Sequence, residues 1–116
     1  MTSPYSTLPP SALNRAVAER LGWTDISPSG VFGSRDIGKA PGWKYKTEIG
    51  DYAGNLTLAL GLVRTIAEVR LTRKGADSPW NCYLFDGAIE RSAQNVDPAH
   101  AVTQAFMLWM DAKGEK

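Results

Sequence analysis

Apolar and polar positions alternate most plainly between Ala67 and Gln94, in the stretch AEVRLTRKGADSPWNCYLFDGAIERSAQ. Ala67, Val69 and Leu71 alternate with Glu68, Arg70 and Thr72, the period of two that marks a half-buried strand. Trp80 to Phe85 is aromatic-rich and apolar on both faces, as a central strand should be. The run from Lys74 to Pro79 between them collects the Gly, Asp, Ser and Pro that bend a chain. Asp86-Gly87 then suits a two-residue type I′ turn, which needs positive φ at both central positions. The pattern predicts a three-stranded antiparallel meander. Its register sets Val69 opposite Leu84 and Arg70 opposite Tyr83, then Leu84 opposite Ile89 and Tyr83 opposite Glu90. One face carries Val69, Leu71, Cys82, Leu84 and Ile89, and forms core. The other carries Glu68, Arg70, Thr72, Asn81, Tyr83, Phe85 and Glu90, and is either covered by a helix or used for binding.

Three segments have helical periodicity. Pro10 to Gly22 places Pro in a first turn and Gly at C′, with Ser11 as a candidate cap and Leu13, Val17 and Leu21 on one narrow stripe. Trp23 is expected to tuck the helix end onto the core. Asp51 to Ile66 is ambiguous, because Leu56, Leu58, Leu60 and Leu62 alternate as in a buried strand. Leu and Ala favour helix and no β-branched run supports a strand, so the segment reads as a helix capped by Asp51 and buried on most sides. The last helix opens with Asp97 as N-cap and Pro98 at N1 and ends at Gly114. Val102, Ala105, Phe106, Trp109 and Met110 form its buried stripe, with His100, Gln104 and Asp111 facing away. Residues 24–50 hold five glycines and two prolines in 27 positions, which excludes a long regular element. Residues 1–9 read as a flexible N-terminal arm and 10–116 as a single domain.

The fold class is therefore α+β: a three-stranded meander packed with about three helices, in an alpha-beta-alpha, sandwich-like arrangement. A chain of 116 residues can bury about two-thirds of its unfolded surface. Hydrophobic content of 43% and a net charge of +1 give no general pull toward nucleic acid or an anionic membrane. No apolar run approaches the length of a membrane span, and the start MTSPYSTLPP has no signal-peptide pattern, so a cytoplasmic protein is expected.

The residues LNRAVAERLGW (Leu13 to Trp23), GDYAGNLTLALGLVR (Gly50 to Arg64) and DPAHAVTQAFMLWM (Asp97 to Met110), in the order helix, long loop, helix, meander, helix, resemble the phage ABA sandwich domain family. Those are small proteins of phages and prophages. Gly50-Asp51-Tyr52-Ala53 stands where that family has a Pro-Asp-Tyr-Ser pattern before an Ala-rich helix. The resemblance implies that the Leu-rich segment is helical. It carries no catalytic signature.

Candidate chemistry is sparse. One Cys and one His exclude an internal disulfide and argue against a metal site. Cys82 reads as a buried apolar residue, and the glycines at 30, 33 and 38 do not follow a strand and open a helix as a phosphate loop does. Asp86 and Glu90 flank a hairpin with nothing to separate their pKa values. No enzyme activity and no cofactor are expected. Two basic features remain. Lys39, Trp43, Lys44, Tyr45 and Lys46 mix cations with aromatics, the combination that stacks on and neutralises nucleotides; the alternative is a short strand, Trp43 to Thr47, with its aromatics pinned to the core and its lysines in water. Arg64, Arg70, Arg73 and Lys74 could line a phosphate pocket; the alternative is a solvated edge, with Arg70 stacked between Tyr83 and Glu90. The expected ligand-binding set is Trp43, Lys44, Tyr45, Lys46, Arg70, Arg73 and Tyr83. Two partners fit it: a small anionic ligand such as a nucleotide signal, sequestered in an anti-defence role, or a host or phage protein held on the mixed face. Single-strand nucleic acid is disfavoured by the near-neutral charge. Four Trp and the mixed face point to a homo-oligomer.

Overall fold

The computed structural model describes residues 5–28 and 36–114. In chain order it contains α1 (Pro10–Arg20), β1 (Thr24–Ser27), β2 (Ile37–Lys39), β3 (Thr47–Glu48), α2 (Leu56–Leu62), β4 (Glu68–Thr72), β5 (Trp80–Asp86), β6 (Ile89–Asn95) and α3 (Pro98–Gly114). Among the described residues, three helices and two three-stranded antiparallel sheets make the α+β fold that the pattern predicts. The meander is the sheet β4–β5–β6. The second sheet, β1–β2–β3, occupies the stretch expected to be least structured, with strands of four, three and two residues. Such lengths are too short for alternation to be read from sequence. Gly30, Gly33, the first four residues of the expected arm and the last two of the chain lie outside the described residues.

The first hairpin of the meander has the expected register, with Val69 opposite Leu84 and Arg70 opposite Tyr83. The second is displaced. Asp86 pairs with Ile89, so Leu84 lies opposite Arg91 and Tyr83 opposite Ser92. The loop is therefore Gly87-Ala88 rather than Asp86-Gly87. Only Gly87 has positive φ, at 64°, the pattern of a type II′ turn with Gly first. Leu84 has changed partner by two residues, an even slip, and every side chain keeps its expected face.

Helix α3 packs on β5 and β6 and is itself flanked by α2 and α1. Asp97 caps it as expected, its Oδ1 accepting from Ala99 N at 2.9 Å. Its outer residues differ from expectation: His100 and Gln104 are buried, and Asp111 is half-buried. Gln104 Nε2 donates to His100 Nδ1 at 2.6 Å, and His100 Nε2 donates to the Leu8 carbonyl at 3.1 Å. Asp111 accepts from Tyr5 and pairs with Arg20. A buried polar pair is tolerated when each group is bonded. The segment expected as a loose arm is thus, over its described part, tied along α3, and an apolar stripe could not reveal that.

Helix α1 ends in a Schellman motif, with Trp23 N bonded to Ala18 O and Gly22 N to Glu19 O, and Gly22 at φ 95°. Ser11 does not cap it; Pro9 is the N-cap residue. Helix α2 is shorter than expected. Asn55, not Asp51, caps it through Leu58 N at 3.2 Å. Only Ala59 is buried in it, and Leu58 and Leu60 remain exposed. Asp51 instead accepts from the buried Asn14 Nδ2 at 3.0 Å, while Asn14 Oδ1 accepts from Ala53 N at 2.8 Å. Thr103 Oγ1 donates to Tyr52 O at 2.9 Å. The 51–54 turn is consequently fastened to α1 and α3 and cannot join the helix.

Candidate functional site

The sheet β4–β5–β6 sets up three cross-strand rows on the face turned away from α3. They are Glu68, Phe85 and Glu90; Arg70, Tyr83 and Ser92; and Thr72, Asn81 and Gln94. Among the described residues, no helix covers them. In the two rows nearer the second hairpin, the charged groups and the Tyr83 phenol engage one another. Arg70 pairs with Glu68 and lies 5.8 Å from the Tyr83 ring centre, and Tyr83 Oη donates to a Glu90 carboxylate oxygen at 3.0 Å. The Tyr83 phenol is pushed above its ordinary pKa by loss of water, by the bond to Glu90 and by the charges of Glu90 and Glu68, with Arg70 opposing.

The third row is different. Thr72, Asn81 and Gln94, with Arg73, Lys74, Ser78 and Pro79 from the 73–79 turn, line a groove of about 400 Å³. No carboxylate lines it. The side chains of Thr72, Ser78, Asn81 and Gln94 make no hydrogen bond among the described residues. Lys74 forms no ion pair among them, and Arg73 is held over the Trp80 ring, 4.6 Å from its centre. Arg presents a fork of donors that matches an oxyanion bidentately, and Lys adds a point charge. Two cations beside a floor of uncommitted hydroxyl and amide groups can hold a small polar anion.

A second cavity, of about 230 Å³, lies between α1 and Asp36, Ile49 and Asp51. Its charged groups are already engaged. Arg15 reaches Asp36 at 3.6 Å and the Ile26 carbonyl at 3.1 Å, and Asp51 holds Asn14.

The residues expected to form one ligand site fall into two places. Trp43, Lys44, Tyr45 and Lys46 sit in the turn before β3, not in a strand, and Trp43 and Tyr45 are 67% and 78% exposed. Their aromatics are not pinned to the core. Lys46 Nζ donates to Ser27 Oγ at 3.0 Å within the small sheet. Arg70, Tyr83 and Arg73 belong to the meander, and no described hydrogen bond, ion pair or ring contact joins them to that turn. Arg70 lies over Tyr83 as in the solvated-edge alternative, but its carboxylate partner is Glu68, while Glu90 is bonded by Tyr83. The groove also uses Asn81 and Gln94, which sequence reasoning did not single out; both fall on the outer face once the register is drawn, and that was the available signal.

Cys82 is fully buried, and burial pushes its thiol up to about 12, so it is no nucleophile at neutral pH. Among the described residues no cluster of three or more His, Cys, Asp or Glu could hold a metal ion. No helix there is long and apolar enough to cross a membrane.

No protein-family model matches the chain, and no curated protein sequence does. Among solved structures, a phage protein from Bacillus cereus ATCC 14579, determined by crystallography at 2.0 Å, matches with a TM-score of 0.67. The match covers 87% of this chain and 91% of that one, at 14% sequence identity. At that identity what the two chains share is the fold, and the chain is similar in architecture to a phage protein.

Proposed function

We propose that this protein is a non-enzymatic phage or prophage accessory protein of the ABA sandwich type that its residues resemble. In this reading it binds a small anionic ligand of nucleotide type in the host bacterial cytoplasm, as a homo-oligomer, and sequesters it as an anti-defence protein. The observation that carries the binding is the groove beside Arg73 and Lys74, which combines two cations with polar side chains that make no hydrogen bond among the described residues. The shared fold with a phage protein supports the setting. Native mass spectrometry of protein purified without denaturation, with release and identification of small molecules, tests it. A symmetric oligomer carrying a nucleotide is expected, and Arg73→Ala with Lys74→Ala should lose both the ligand and any counter-defence activity in a phage plating assay. An empty monomer overturns this reading.

The open outer face favours a second reading, an adaptor that docks a host or phage protein. Tyr83 and Phe85 stand half-buried on its central strand, and aromatic anchors dominate such interfaces. Phe85→Ala should then abolish pull-down of the partner while the fold persists.

A further inference from the structure

We propose that the groove takes one mononucleotide, with its phosphate at Arg73 and Lys74 and a base edge against the side-chain amides of Asn81 and Gln94. The inference rests on the anion-binding reading above and adds the number of nucleotides and the residues that read the base. Asn81 and Gln94 are directly opposite on adjacent strands, with Thr72 completing the row. Opposed residues on one face of a sheet bring their Cβ atoms to about 4.5–5.5 Å, so the two amides share one patch. A bare oxyanion needs donors only. Each amide instead offers a carbonyl acceptor beside an NH2 donor, and that combination matches the adjacent donor and acceptor on the edge of a base, adenine above all. Neither amide makes a hydrogen bond among the described residues, whereas in the neighbouring rows Glu68, Arg70, Tyr83 and Glu90 engage one another.

Size agrees with chemistry. Sites for drug-sized ligands span roughly 300–1,000 Å³, and about 400 Å³ lies near the lower end, enough for one nucleotide and too little for several. Arg73 lines the groove, and the contact of its guanidinium with the Trp80 ring, 4.6 Å from the ring centre, restrains that side chain. No carboxylate stands in the lining to repel a phosphate.

Isothermal titration of the full chain with AMP, ribose 5-phosphate and inorganic phosphate tests the inference. AMP should bind about tenfold tighter or more than ribose 5-phosphate, the range of one good bidentate base contact. Asn81→Val with Gln94→Ala should bring AMP to the affinity of ribose 5-phosphate, and Arg73→Ala with Lys74→Ala should weaken all three ligands. Because Asn81 is half-buried in the central strand, Gln94→Ala, at an exposed position, is the second variant: it should weaken AMP and leave ribose 5-phosphate unchanged. Equal affinities for AMP and ribose 5-phosphate, or a Gln94→Ala protein that binds AMP as before, overturn the base-edge inference and leave the anion-binding reading standing. If none of the three ligands binds, both fall.

Discussion

The two faces of the β4–β5–β6 sheet are made from alternate residues of the same strands, yet they meet different surroundings. On the inner face Cys82, Leu84 and Ala93 are buried against α3. On the outer face the same strands show Arg70, Glu90, Ser92 and Gln94 to water. The outer face is itself divided, into a half where Glu68, Arg70, Tyr83 and Glu90 engage one another and a half whose polar side chains make no hydrogen bond among the described residues. Apolar burial therefore explains where the sheet is, and side-chain contacts separate the engaged rows of its outer face from the row of Thr72, Asn81 and Gln94.

The largest effect expected comes from the inner face. Leu84→Ala removes a fully buried side chain and should cost about 2–5 kcal/mol in urea denaturation. Phe85→Ala, one residue away on the outer face, should cost about 1 kcal/mol or less. Equal costs would mean that the outer face is packed, and the contrast between the faces would fail. Asn14→Ala tests the fastening of the 51–54 turn. It leaves Asp51 and the buried Ala53 N–H without their partner, a loss of about 1–3 kcal/mol by the same measurement.

A pH series sharpens the contrast at Cys82. Its thiol titrates at about 12 in the folded chain, above its ordinary 9.0. Between those values the unfolded chain has released the proton and the folded chain keeps it. Stability from this group is therefore present below pH 9 and falls as pH rises toward 12. Urea midpoints for the wild type should drop more steeply above pH 9 than those of Cys82→Ala, and parallel curves would place the thiol in contact with water. The smallest effect is expected at the exposed turn. Trp43→Ala and Tyr45→Ala should each shift stability by no more than about 0.5 kcal/mol, and a larger loss in thermal unfolding would show that the turn is docked.

Legibility followed the length and regularity of each pattern. The meander could be read because β4 alternates over its five residues, β5 is an aromatic and apolar run, and glycine-bearing turns separate the strands, and α1 because Pro10 and Gly22 bracket it. The turn between β5 and β6 could not be placed to the residue, because Asp-Gly and Gly-Ala loops both satisfy the same glycine. The burial of His100 and Gln104 was hidden, since a hydrophobic stripe says nothing about polar residues that bond each other at a spacing of four. For the site, Arg73 was visible as part of a basic run, but Asn81 and Gln94 became relevant only when three strands brought them into one row with Thr72.

Composition and local pattern by themselves determined the fold class, the identity of the main sheet and the residues on each of its faces, because side-chain period and turn chemistry are properties of neighbouring residues. The tertiary structure decided what covers what. Burial of α3 on several sides, the attachment of Tyr5 and Leu8 along it, the loss of Asp51 from the α2 cap and the separation of Trp43 from Arg70 all depend on contacts between distant parts of the chain. Those contacts are chosen by the packing of whole elements, and no short window of sequence contains them.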